Sequence, residues 1–220
     1  MHKVWFFVAA SAACLAGCKS GINVPLSYST ATAATQSVIA ELYLEVGACR
    51  DADTGLDSTQ LLNAKQKVAY VVPGARFSGC AQQGLSEFAY FDVPVQVGAQ
   101  AVNESKGFAA SILNGSAAYF AASEELKQRF AQVSQDVYGF SLGDFSVTLR
   151  FENDSGKDWE VYVPSAIVKQ SGFSDTPFHA DSFILKKDEA VAFEISNVAT
   201  LKILDGSGYA LAFSLTQDRP

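Results

Sequence analysis

The chain has 220 residues, of which 49% are hydrophobic and 18% are charged, a composition typical of a globular protein with a sizeable core. Its 16 basic and 23 acidic residues give a formal net charge of -7 at pH 7. Because the basic residues form no stripe along the sequence, these numbers argue against nucleic acid as a partner.

The first predicted element is an export signal at residues 1–17. Lys3 supplies a positive charge, and residues 4–17 form an apolar stretch. This stretch is too short to cross a bilayer core of about 30 Å as a helix. A short apolar run behind a positive charge is typical of a secretory signal, which is removed from the mature protein.

The signal ends in the sequence LAGC at residues 15–18, which closely resembles the lipobox of bacterial lipoproteins. In that family the box cysteine is joined to diacylglycerol, and the signal is cut before it. The resemblance implies that Cys18 is lipidated and that the acylated N-terminus anchors the chain in the bilayer. In enteric-type bacteria, lipoproteins that lack aspartate directly after the box cysteine usually travel to the outer membrane, and this chain has Lys19 at that position. The resemblance therefore implies that the protein lies at the outer membrane, facing the periplasm. Under this assignment Cys14 lies in the discarded segment. The alternative is cleavage as an ordinary secretory signal, which leaves the Cys18 thiol free.

The two remaining cysteines, Cys49 and Cys80, are predicted to form a disulfide. Secretion would place them in an oxidising compartment, where such pairs form and persist. The alternative is a metal or redox pair. The absence of C-x-x-C spacing, and the single histidine left after signal removal, argue against it.

The mature chain is predicted to hold two domains after a lipidated tether at residues 18–21. The first, residues 22–97, is an α+β domain in which alternating strands surround one capped helix. Its predicted strands are 22–29, 38–49, 75–80 and 85–97, and its predicted helix begins after Asp57. A small, polar segment at 98–107 is the predicted linker.

The second predicted domain, residues 108–220, combines a helix with antiparallel strands. A hairpin is expected to turn at Asn114-Gly115, because this dipeptide favours left-handed turns. Ser123 is the predicted N-cap of a helix over 123–139. Six strands are expected beyond it, including a hairpin at Asp205-Gly206. The fold class is therefore α+β, with a disulfide in the N-terminal unit and a C-terminal antiparallel sheet or sandwich.

The sequence offers little catalytic chemistry. It has no G-x-S-x-G, H-E-x-x-H, P-loop or G-x-G-x-x-G motif, and no cofactor is predicted. A triad around His179 remains an alternative to a structural histidine. Asp51, Asp53 and Asp57 occupy positions 1, 3 and 7 of a calcium-like loop, but the twelfth position is leucine. A helix-capping turn explains these acids more simply, so no metal is predicted.

Aromatic residues are abundant, with 16 phenylalanines and 8 tyrosines. Core packing explains them more simply than a hydrophobic pocket, which is the alternative. Trp159 lies beside a polar turn, where we expect partial exposure on a contact surface. The aromatic candidates for a pocket are Phe88, Tyr90, Phe91, Phe145 and Phe151.

The layout of the whole mature chain resembles uncharacterised small lipoproteins carried by prophages and mobile elements of proteobacteria. The matching stretches are GCKSGINVPLSYST, VGAC, SLGDFSVTLRFEND and VATLKILDGSGYALAFSL. The resemblance implies no activity. The sequence predicts a non-enzymatic envelope lipoprotein that is held in the lipid bilayer by its acylated N-terminus and binds another envelope component, such as an envelope protein. Nucleic acid is not an expected partner. The alternatives are a small-ligand or ion-binding lipoprotein, and a hydrolase around His179.

Overall fold

The computed structural model describes residues 19–134, 145–170, 182–205 and 208–216. Its strands are β1 Ser20–Ser27, β2 Gln36–Val46, β3 Arg76–Gln83, β4 Ser86–Val97, β5 Phe108–Leu113, β6 Ala117–Ala122, β7 Phe145–Glu152, β8 Trp159–Tyr162, β9 Ala166–Gln170, β10 Ser182–Leu185, β11 Ala190–Ile195 and β12 Tyr209–Thr216. Its helices are α1 Tyr28–Thr32, α2 Thr59–Val71, α3 Ala101–Glu104, α4 Glu124–Ser134 and α5 Asn197–Asp205.

All twelve of these strands belong to one curled, mixed sheet. The strand order is β10-β8-β12-β6-β5-β4-β2-β1-β7-β11-β9, and β3 pairs with β4 beside this path. Most neighbours are antiparallel, but β1 runs parallel to β7 and β4 runs parallel to β5. The resulting half-barrel, together with the helices, makes the protein α+β as predicted.

Alternation along the strands places one face of the sheet in the core. On β1, for example, Ile22, Val24 and Leu26 are buried, whereas Asn23 and Pro25 lie on the opposite face. Helices α2, α4 and α5 add apolar side chains to the same core cluster. The largest completely buried side chains of the helices and strands are Phe91, Phe108, Phe120, Phe130, Phe145, Phe151, Phe193 and Phe213.

The C-terminal strands do not form the separate antiparallel sheet or sandwich that we expected. Strand β1 pairs in parallel with β7 through eight residue pairs, from Ser20↔Phe145 to Ser27↔Glu152. The late strands β8, β10 and β12 lie at one end of the sheet, and β7, β9 and β11 lie at the other. Pairing between segments so distant in the chain leaves no local sequence pattern, so alternation alone could not reveal it.

Two turn predictions had opposite outcomes. The hairpin at Asn114-Gly115 is confirmed: it joins β5 to β6, with φ angles of 52° and 68° at the two turn residues. The hairpin at Asp205-Gly206 is wrong, because Asp205 ends helix α5, while Gly206 lies outside the described residues. Buried Thr200, Ile203 and Leu204 show that the segment is an amphipathic helix whose β-branched residues imitate a strand.

The other local predictions also met mixed outcomes. Helix α4 is capped by Ser123, whose Oγ accepts a hydrogen bond from the N–H of Leu126 at 3.2 Å, as expected. Helix α2 begins at Thr59 with Ser58 as its N-cap, one residue after the predicted capping residue Asp57. Trp159 is buried, contrary to prediction, because its ring packs at 5.4 Å from Tyr28 and its Nε1 donates to Ser155 Oγ.

Two further features concern the folded part of the chain as a whole. The disulfide between Cys49 and Cys80 is confirmed and ties the segment after β2 to β3. Within the described ranges, no helix has the length and apolar character that crossing a membrane requires.

Candidate functional site

A groove of about 700 Å³ lies on the face of the sheet opposite the core. We call it the polar groove. Six neighbouring strands, β4, β2, β1, β7, β11 and β9, contribute most of it, chiefly through side chains that alternate with those of the core, and β3 and α5 add one residue each. Its lining residues are Lys19, Ser20, Asn23, Glu41, Tyr43, Gln83, Ser86, Phe88, Tyr90, Ser146, Thr148, Arg150, Lys169, Ala192, Glu194 and Asn197.

One side of the polar groove is aromatic. Tyr43 on β2 lies directly opposite Tyr90 on β4, and the Tyr43 ring contacts Phe88 edge-on at 6.0 Å between centroids. Gln83 on β3 donates from Nε2 to the Tyr90 hydroxyl at 2.6 Å. Burial raises the pKa of Tyr90, so its hydroxyl stays neutral at physiological pH. The register of β2 and β4 thus places the three rings of Tyr43, Phe88 and Tyr90 side by side on one face, as a platform.

The other side of the groove is made of hydrogen-bonding and charged side chains from β1, β7, β11 and β9. Asn23 lies opposite Thr148, and its Nδ2 donates to Glu41 Oε1 at 2.9 Å. Further along, Lys169 and Glu194 form an ion pair. Arg150 is exposed at the end of this row. This side therefore offers both donors and acceptors to a ligand.

Gly21 allows the two sides of the groove to meet at its floor. Tyr43 on β2 and Ser146 on β7 share a hydrogen bond of 2.5 Å between their hydroxyl oxygens, although β1 lies between those strands. A Cβ atom at Gly21 would lie 2.2 Å from Ser146 Oγ and 2.5 Å from the Tyr43 hydroxyl. Only a residue without a side chain leaves space for this cross-strand contact.

Lys19 and Glu45 fix one rim of the groove. The N–H of Lys19 donates to Glu45 Oε2 at 2.9 Å, and Ser86 Oγ donates to Glu45 Oε1 at 2.5 Å. The N–H of Glu45 in turn donates to the Lys19 carbonyl at 2.8 Å. The hydrogen bonds from Ser86 and from Lys19 lower the pKa of Glu45, so its carboxylate is ionised at neutral pH. These hydrogen bonds attach Lys19 to β2 at the rim of the groove.

The disulfide supports the aromatic side of the groove. Among the strands that the structure describes, β3 pairs with β4 alone, and it is exposed along most of its length, so few buried contacts hold it. The bond from Cys80 to Cys49 attaches it to the segment after β2. The N–H of Cys49 also donates to Glu87 Oε2 on β4 at 2.5 Å. We infer that these links keep Gln83 in place beside Tyr90.

The three acids of the calcium-like loop do not form a joint site. Asp51 Oδ1 accepts from the N–H of Thr54 at 2.9 Å and so stabilises the turn. Asp57 pairs with Lys65 at 2.6 Å and with Arg50 at 3.2 Å. The hydrogen bond from Lys65 lowers the pKa of Asp57. In the described ranges, no three histidine, cysteine or acidic side chains are grouped so that they could hold a metal ion.

The remaining predicted residues are divided between the core, the groove and the undescribed segments. Phe91, Phe145 and Phe151 are buried in the core, whereas Phe88 and Tyr90 line the polar groove. The predicted lipidation site Cys18, and also Cys14 and His179, lie outside the described residues. Their predicted roles are therefore still predictions.

Sequence reasoning missed the polar side of the groove. Asn23 and Thr148 are adjacent across β1 and β7 but are 125 positions apart in the chain. The available signal was the polar half of each alternating strand, such as Ser146, Thr148 and Arg150 in the stretch SVTLR. That signal predicts which residues share a face, but it cannot predict which strands lie side by side.

The comparison with protein families identifies the family of this chain. The family described as "Domain of unknown function (DUF7424)" matches residues 22–218, and the chain belongs to it. No curated protein and no solved structure matches the chain significantly.

Proposed function

We propose that this member of the DUF7424 family is a lipid-anchored envelope protein whose folded domain binds another envelope component in the polar groove. The proposed anchor is Cys18, and the proposed location is the outer membrane, facing the periplasm. The domain acts by binding rather than by catalysis.

The polar groove is the observation that carries the proposal. Its volume of about 700 Å³ lies within the range of about 300–1,000 Å³ that is typical of ligand sites. Hydrogen bonds among its own side chains, such as Tyr43 to Ser146 and Gln83 to Tyr90, hold the lining in place before any ligand arrives. A preorganised surface loses less conformational entropy on binding.

The pKa of the rim residue Glu45 does not indicate a general acid. A carboxyl group that serves as a general acid near neutral pH needs a raised pKa. The pKa of Glu45 is lowered instead, by hydrogen bonds that it accepts from neighbouring parts of the chain. Such a carboxylate organises its surroundings and does not exchange protons near neutral pH.

Photocrosslinking in intact envelopes tests the proposal. A photoreactive amino acid in place of Arg150, inside the groove, is expected to give a specific adduct. The matched control replaces Leu62, an exposed residue on α2. Helix α2 packs against the core face of the sheet, so this position lies away from the groove. The adduct should weaken in a Cys18→Ala background, because release from the membrane lowers the effective concentration of the ligand.

The outcomes of this experiment separate the alternatives. An adduct at position 150, absent at position 62, supports binding in the groove. Equal labelling at both positions contradicts it, and the absence of an adduct at both positions contradicts the binding of a macromolecule in the groove. If the ligand is instead a small soluble molecule, no macromolecular adduct forms at position 150, but the melting temperature rises with ligand concentration by mass action.

A further inference from the structure

We propose that the ligand of the polar groove is a saccharide chain. This inference rests on the proposed function and adds the chemical class of the ligand. The observation behind it is the division of the groove into an aromatic side and a hydrogen-bonding side.

The two sides match the two surfaces of a sugar ring. A pyranose has an apolar face of C–H groups and an edge of hydroxyl groups. In the platform, the partly exposed rings of Tyr43 and Tyr90 offer apolar area with a polar tip on each ring, and the nearly buried Phe88 supports them from below. Across the groove, Asn23 and Thr148 lie in register, and each carries both a donor and an acceptor, as a hydroxyl-rich ligand requires.

The charge of the groove favours a ligand without a large charge. Lys19, Arg150 and Lys169 are offset by Glu41 and Glu194 among the lining residues. Lys169 is already paired with Glu194, so its charge is partly neutralised. The three cations therefore exceed the two carboxylates by only one charge. A site for phosphate or another strong anion would show a larger excess of cations, most often arginine forks.

The length of the groove favours an oligomer over a single sugar. The six lining strands, from β4 to β9, enclose five inter-strand spacings of about 4.8 Å, which span about 24 Å. A single sugar ring is much shorter than this span. Only a chain of several sugars that lies across the strands can therefore contact both sides of the groove.

The N-terminus places this groove near the membrane if Cys18 is lipidated. Lys19 lines the groove and is held to Glu45 by two hydrogen bonds, and adjacent Cα atoms are about 3.8 Å apart. The attached lipid would therefore leave the domain at the groove's rim. The saccharide has two possible sources at this surface: the head group of a glycolipid, or a glycan of the cell wall.

Calorimetric titration of the purified mature chain tests the inference. The detergent must have a head group without sugar. The probes are a soluble N-acetylglucosamine tetrasaccharide, phosphatidylcholine vesicles with a glycosyl diacylglycerol, and phosphatidylglycerol vesicles without sugar. Binding to either sugar probe is expected, and the preferred one identifies the source. Tyr90→Ala should weaken that binding about tenfold or more, whereas Tyr70→Ala, at an exposed position of α2 outside the groove, should leave it unchanged.

Arg150→Ala provides a second variant, because this exposed side chain contributes little to folding. It should weaken sugar binding several-fold while the melting temperature stays unchanged. Binding to phosphatidylglycerol alone, or to none of the probes, overturns the saccharide inference. The wider proposal is tested separately: a specific adduct at position 150 in envelopes would still support a groove ligand of another class, and no adduct would contradict both.

Discussion

Replacing Cys49 and Cys80 together with alanine is expected to lower the free energy of unfolding by about 3–4 kcal/mol. The disulfide joins residues 31 positions apart, and it closes a loop that contains all of α2. Without it, the unfolded chain gains conformational freedom, which favours unfolding. Urea denaturation of the variant and the wild type measures the difference.

Reduction supplies the matched control for this prediction. A reductant should destabilise the wild type by about the same amount and leave the double variant unchanged, because the variant has no bond to reduce. The variant should also bind groove ligands more weakly, since β3 and its Gln83 lose their attachment. A decrease of less than about 1 kcal/mol in the free energy of unfolding would contradict the inference that the disulfide holds β3 in place.

Replacing Phe108 with alanine is expected to cost about 3–5 kcal/mol of stability, the range for phenylalanine in a closely packed core. Phe108 on β5 is fully buried. Its ring centroid lies 5.6 Å from Phe120 on β6, 6.0 Å from Phe130 on α4 and 6.3 Å from Phe145 on β7. The substitution therefore removes contacts with three elements at once. Leu85→Ala, at a fully exposed turn, should change stability by less than about 0.5 kcal/mol.

The shape of the unfolding curve in the Phe108→Ala variant adds a second test. Because β1 pairs with β7 and β4 pairs with β5, the early and late strands share one sheet. We expect one cooperative transition that moves as a whole to lower urea concentration. Two transitions, with only the later one displaced, would instead favour separate domains at residues 22–97 and 108–220.

Local structure was predictable where one short segment contains its own signal. Helix α4 follows from the Ser123 cap and its apolar stripe, and the β5–β6 hairpin follows from Asn114-Gly115. The disulfide was predictable because Cys49 and Cys80 are the two cysteines that remain once Cys14 is assigned to the predicted signal and Cys18 to the predicted lipidation site. In each case the cause is a capping group, a turn geometry or a redox environment that does not depend on distant strands.

The arrangement of the sheet and the groove could not be predicted in the same way. The parallel pairing of β1 with β7 depends on the packing of the whole core, and alternation is compatible with many strand orders. The role of Gly21 depends on that order, because Tyr43 and Ser146 meet over it only when β1 lies between β2 and β7. Helix α5 shows the reverse case, in which tertiary packing overrides a strand-like composition.

Hydroxyl-radical footprinting of the protein in isolated envelopes tests the central claim most directly. It compares the oxidation of Tyr43 and Tyr90, which line the polar groove, with that of Tyr70 and Tyr162, which are about half exposed elsewhere. If the groove is the binding surface, the two groove tyrosines are protected in envelopes relative to the purified protein, and the two controls are oxidised equally in both. Equal oxidation of all four tyrosines in the two preparations would contradict the account.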